Sequence, residues 1–183
     1  MANVFDVADF MILSAGQESD MTNMKINKLL YYAQGTHLAR TGKPLFNDDI
    51  KAWDHGPVVT PVWRKYTTEH GSNPILETSE GFDADKSFSQ EEADTIIDVI
   101  CEYGKYAASY LRNKTHAPGT PWSSVAHNDV ISKNLLRQYF SQHEAAERFD
   151  FASIKLPAIG YLNEDGILVI PKDDEDWSEY DEV

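Results

Sequence analysis

Apolar residues recur at helical spacing from the start of the chain. Val4, Val7, Ala8, Met11 and Ile12 predict a first helix over residues 3–15, stopped by Gly16. A second stripe, Ile26, Leu29, Leu30, Ala33 and Leu38, predicts a helix that ends at Gly42. Gly35 lies inside that helix and costs it about 1 kcal/mol relative to alanine, which points to a close helix–helix approach. The pattern then changes. Asn47-Asp48-Asp49 is turn-like, and Ile50 to Trp53 reads as a short edge strand. Gly56 permits positive φ and Pro57 fixes φ, so a stiff corner is expected there. Thr60-Pro61 reads as an N-cap followed by proline at the first helical position, opening a third helix that ends near Gly71.

Residues 72–87 are polar and broken by Asn73-Pro74 and Gly81. Ser89-Gln90-Glu91-Glu92 is a capping box. The helix it opens is expected to carry Ala93, Ile96, Ile97, Ile100 and Cys101 inward as far as Gly104, with the Ile96/Ile100 face packed on the Leu29/Leu30 face. A shorter helix with Tyr106, Tyr110 and Leu111 follows, and Thr115-His116-Ala117-Pro118-Gly119 breaks it. Thr120-Pro121 repeats the cap-and-proline device and predicts another short helix through Trp122 and Val125. A last helix spans residues 132–148, with Leu135, Leu136, Tyr139 and Phe140 as its apolar face. Two apolar runs, 154–162 and 167–170, then flank Asn163-Glu164-Asp165-Gly166 and read as a β-hairpin, with Pro157 fitting only at an edge or bulge. The fold class expected is α+β, predominantly α-helical. A compact helical domain with a small β element occupies 1–148, and a β-hairpin extension with an acidic tail occupies 149–183.

Composition narrows the function classes. Hydrophobic residues at 42% and charged residues at 25% are ordinary for a globular chain of 183 residues. No apolar run approaches the ~20 residues that span a bilayer. The acidic first residues and the lone Cys101 argue against a secretory leader and a disulfide framework, so a cytoplasmic setting and no membrane association are expected. The net charge of −14 makes nucleic acid an unfavourable partner. Half of that charge follows Lys172, in Asp173, Asp174, Glu175, Asp176, Glu179, Asp181 and Glu182. This is either a solvated terminus or a segment that docks on a cationic surface, the second favoured by Trp177 and Tyr180.

Catalytic signatures are missing from the chain. The six histidines form no HExxH pattern and one cysteine makes no CxxC, so no metal or cofactor is expected. There is no Gly-rich phosphate loop and no Gly-x-Ser-x-Gly. Asp48-Asp49 and Glu91-Glu92 carry little information in so acidic a chain. His55 and His116 each sit in a loop beside a helix start. Either acts as an acid or base, or each satisfies backbone carbonyls at a tight corner.

Three groups of residues occur in an order that resembles a known family. They are Lys28-Leu29-Leu30-Tyr31-Tyr32-Ala33, Ala52-Trp53 with Gly56-Pro57-Val58, and Thr115-His116 with Pro121-Trp122. Over residues 4–142 the chain resembles the Panacea domain, also called the SocA-like antitoxin domain. It departs in Ile26-Asn27, where the family often has Leu-Gln, and in a slightly longer link over 117–120. The resemblance implies a binding role: an antitoxin of bacteria and their phages that neutralises a cognate toxin by direct contact. The alternative is an adaptor that hands its toxin to an ATP-dependent protease, as a branch of the family implies, or a phage-encoded regulatory module that delivers or inhibits a partner protein. The resemblance carries no catalytic residues, and an enzyme using His55 or His116 is the third class. The partner-binding candidates are Trp53, His55, Gly56, Pro57, Val58, Trp63, His116, Trp122, Trp177 and Tyr180. Trp53 and Trp63 either belong to the core or present an aromatic hot spot.

Overall fold

The computed structural model describes residues 1–16, 20–147, 161–162 and 168–169. The chain divides into two units, Met1–Glu147 and Arg148–Val183. In the first, α1 (Val4–Ala15), α2 (Asn23–Thr41), β1 (Ile50–Trp53), β2 (Gly56–Val59) and α3 (Thr60–His70) are followed by the short α4 (Ala84–Ser87). Then come α5 (Gln90–Tyr103), α6 (Ala108–Thr115), a single 3-10 turn (Trp122–Ser124) and α7 (Lys133–Glu147). The fold is α+β and predominantly helical, as the sequence predicts. No described helix is long and apolar enough to cross a membrane.

α2 is the axle of the first unit. It packs against α1, α3, α5, α6, α7 and β2, so its residues are buried on every side from Lys25 to Leu38 rather than along one stripe. The close approach signalled by Gly35 is made to α7: a Cβ at Gly35 would fall 2.2 Å from Phe140 Cδ2. The Phe140 ring is held edge-on by Tyr31 and Tyr32, with centroids 5.5 and 6.0 Å away. α2 meets α5 through Tyr32, stacked on Tyr103 at 4.1 Å, and through His37, whose Nδ1 lies 3.1 Å from Thr95 Oγ1.

The capping box is present, with Glu92 accepting from the Ser89 N–H at 2.9 Å. The inward face of α5 is rotated from the expected one, however. Glu92, Thr95, Ile96, Val99 and Tyr103 are buried, Ile100 is half-buried, and Ile97 and Cys101 are exposed. Tyr103 and Thr95 take the core positions because α2 offers them ring and imidazole partners. Thr60 is not a cap either. The N-cap of α3 is Val59, without a side-chain bond, and Thr60 Oγ1 is buried without a hydrogen-bond partner. The expected helix through Val125 is only the 3-10 turn, and Val125 is extended. The Thr120 hydroxyl accepts from the Ser123 N–H and donates to the Thr115 carbonyl at 2.7 Å.

In the second unit, β3 (Tyr161–Leu162) pairs antiparallel with β4 (Leu168–Val169), Tyr161 opposite Val169 and Leu162 opposite Leu168. This is the pairing expected of the hairpin. Its turn, Pro157 and the acidic tail with Trp177 and Tyr180 lie outside the described residues.

Candidate functional site

β1 and β2 form a hairpin in which Ile50 pairs with Val59 and Trp53 with Gly56. The expected corner at Gly56-Pro57 is thus the entry into a strand, and Asp54 and His55 make the turn. Neither has positive φ; Gly56 supplies it at +97°. Alanine at Gly56 would be excluded twice, since its Cβ would also lie 2.8 Å from Lys28 Cε and 3.0 Å from Thr115 Oγ1.

A two-stranded sheet leaves two open edges, and both are covered here. On the β1 side, the Ala52 N–H donates to the Asp129 carbonyl at 2.9 Å and its carbonyl accepts from the Asn128 N–H at 2.6 Å. Because Ala52 bonds outward, its partner Pro57 faces away from the ladder and no donor is missed there. On the β2 side, the polar residues of α2 act as the third strand. Lys28 Nζ donates to the Pro57 carbonyl at 2.9 Å. Asn27 Oδ1 accepts from the Val59 N–H at 2.8 Å. Asn23 Nδ2 continues the series, donating to the Trp63 carbonyl at 2.9 Å.

Between hairpin, α2 and α3 opens a cleft of about 730 Å³. Trp53 and Trp63 stand in it edge to face, centroids 5.0 Å apart. Trp53 is half-buried, with Nε1 donating to Asn128 Oδ1 at 3.0 Å. Trp63 is 37% exposed. His55, Asp54 and His127 lie at the mouth, His127 Nδ1 2.9 Å from Asp54 Oδ1. Lys28 is at the floor, 1% exposed. Burial first, and then the nearby Arg112 guanidinium, push its amine down from 10.5 to about 7.

The sequence candidates separate into groups. Trp53, His55, Val58 and Trp63 line the cleft. Gly56 and Pro57 are buried behind it and shape it. His116 and Trp122 form a buttress. His116 Nδ1 lies 2.7 Å from the Arg112 carbonyl oxygen and Nε2 3.0 Å from that of Asp54. Its ring lies against Trp122, whose Nε1 donates to the Trp53 carbonyl at 2.9 Å. Both imidazole nitrogens therefore face backbone carbonyls, and the one that carries the proton donates to its carbonyl. No group of three or more His, Cys, Asp or Glu side chains suited to a metal occurs among the described residues.

Lys28, Asn23 and Asn27 are site residues that the apolar stripe did not single out. One signal was available. The unbroken run Leu29 to Ala33 covers more than one face of a helix, so the polar residues beside it had to be inside as well.

The family described as Antitoxin SocA-like, Panacea domain, matches residues 26–123. That span holds α2 from Ile26, the hairpin, the cleft tryptophans and the His116–Trp122 buttress. Antitoxin SocA of Caulobacter vibrioides (strain NA1000 / CB15N) is 29% identical over 152 residues, which cover 79% of this chain and 81% of the relative. No solved structure matches the chain.

Proposed function

The chain belongs to the SocA-like antitoxin family defined by the Panacea domain, and from that premise we propose that it neutralises a cognate toxin by stoichiometric protein–protein contact. The family match over residues 26–123 carries this reading. Two features support it: an aromatic cleft open to a partner, and a histidine, His116, whose ring is held between two backbone carbonyls and Trp122 and does not line that cleft. The chain acts without catalysis and without a cofactor, in the cytoplasm where its toxin is made.

The contact surface is the Trp53–Trp63 pair with His55 and Val58. Tryptophan in a cleft is among the residue types that most often carry binding energy. Gly56, Pro57, His116 and Trp122 hold that surface in shape. The extension 149–183, with Trp177 and Tyr180, adds contact to a cationic face of the toxin. The net charge of −14 speeds that encounter.

Co-expression with the adjacent open reading frame, followed by tagged pull-down, tests the reading. A neighbour that is toxic alone, harmless with this protein and co-purified with it bears the proposal out. A neighbour rescued without co-purification overturns it. Loss of the neighbour that depends on an ATP-dependent protease would replace it with the adaptor role.

A further inference from the structure

We propose that the cleft floored by Lys28 binds an organic carboxylate with a flat apolar body. This site goes beyond toxin contact and does not rest on it. The first observation is an imbalance of charge. Lys28 is 1% exposed and its amine has one acceptor, the Pro57 carbonyl. An amine offers two N–H groups when neutral and three when charged, so donors are left over. On α6, Arg112 Nε is buried without a hydrogen-bond partner. Among the described residues no carboxylate pairs with either group, in a chain of 30 acids and 16 bases. Burial without a counter-ion drives such an amine toward its neutral form, and an anion from outside favours the charged one.

The second observation is shape. About 730 Å³ lies within the roughly 300–1,000 Å³ range of small-molecule sites. The walls are Trp53, Trp63, Met24, Val58 and Ala108, which suit a planar apolar body. Lys28, Asn23 and Asn27 of α2 line the cleft as well. The first turn of α2 lines the same cleft, and its positive end adds to a field that favours an anion.

The charged group beside Lys28 is Arg112 from α6, which does not line the cleft, and the other charged and titratable groups of the cleft are Asp54 and His55 from the β1–β2 turn and His127 before α7. Asp54 is exposed and bound to His127, so it sits at the wet mouth rather than beside the amine. A carboxylate seated at the floor favours the charged amine. Binding therefore takes up a proton above neutral pH, where free Lys28 is largely neutral.

The test uses the full chain at pH 8 with benzoate, phenylacetate and indole-3-acetate. Phenylacetamide and phenethylamine serve as neutral and cationic controls, and a blocked Trp-Glu-Trp peptide carries the carboxylate on a chain. Calorimetry in two buffers of different ionisation enthalpy counts protons, and tryptophan fluorescence follows occupancy. The proposal expects saturable binding of carboxylates over amide and amine, with uptake approaching one proton per site. Lys28→Met should lose this affinity by about ten- to hundredfold, along with the uptake. Binding by the free acids makes the ligand a small molecule. Binding by the peptide alone makes it an acidic side chain of a partner, and both support the carboxylate site. Equal binding of acid, amide and amine, binding without proton uptake, or binding by none of the probes overturns it. The proton count comes from the unmutated protein, so it stands even if the variant folds poorly.

Discussion

Replacing Lys28 with methionine should make the protein more stable at neutral pH. Burial and Arg112 bring the amine from 10.5 to about 7 in the folded state. In the unfolded chain it returns to its ordinary value, so between about pH 7 and 10.5 the unfolded state binds more protons. Stability then rises with pH through that window by up to about 1.4 kcal/mol per unit. Read at pH 7, the folded state carries a penalty of about 4 kcal/mol from this one group. Methionine is unbranched and of similar length, so it fills the space and removes the penalty. It also strands the buried Pro57 carbonyl, which costs about 1–3 kcal/mol. The net expectation is a gain of about 1–3 kcal/mol at pH 7. Urea unfolding of both proteins at pH 7 and pH 9 reads it. Their difference should shift by about 2 kcal/mol in favour of the unmutated protein at the higher pH. Tyr31, Tyr32 and Tyr66 are pushed upward by burial, so they do not titrate in this range. A difference that stays constant between the two pH values would refute the placement of Lys28 as a desolvated amine.

Gly35→Ala should destabilise by about 1–3 kcal/mol through overlap with the Phe140 ring, and thermal melts should show a fall of about 2–12 °C. In a Phe140→Ala background the same change should instead stabilise by up to about 1 kcal/mol, because only helix propensity remains. Asn27→Ala leaves the buried Val59 N–H without its acceptor and should cost about 1–3 kcal/mol in chemical denaturation. Trp63→Ala, at a side chain 37% exposed, should weaken toxin binding by about thirtyfold in a titration while shifting the melting temperature little. Deleting residues 149–183 should reduce neutralisation in the co-expression assay and leave the circular dichroism of the helical unit intact; undiminished neutralisation would remove the extension from the contact surface.

Much of the fold was legible because its cues are local. The spacing of Ile26, Leu29, Leu30 and Ala33 marks a helix whatever surrounds it. Ser89 and Glu92 cap α5 with atoms three residues apart. Gly35 signals a close approach because only a crowded backbone repays its propensity cost. The rotation of α5 was not legible. Ile97 and Ile100 are more apolar than Thr95 and Glu92, yet Thr95 is bonded by His37 of α2 and Glu92 by its own cap. Satisfying those polar groups decides which face turns inward.

The candidate site divides along the same line. By itself the sequence determined the longer helices, the capping box, the short strand at Ile50–Trp53 and the motifs that mark the family, each carried by residues near one another in the chain. Tertiary structure alone decided which six elements cover α2 and where each of them lies along it. It also made Lys28 a buried amine beneath two tryptophans, and it joined His116 to the Asp54 carbonyl across 62 residues. Burial and partner choice depend on what arrives from elsewhere in the chain, and local spacing does not encode that.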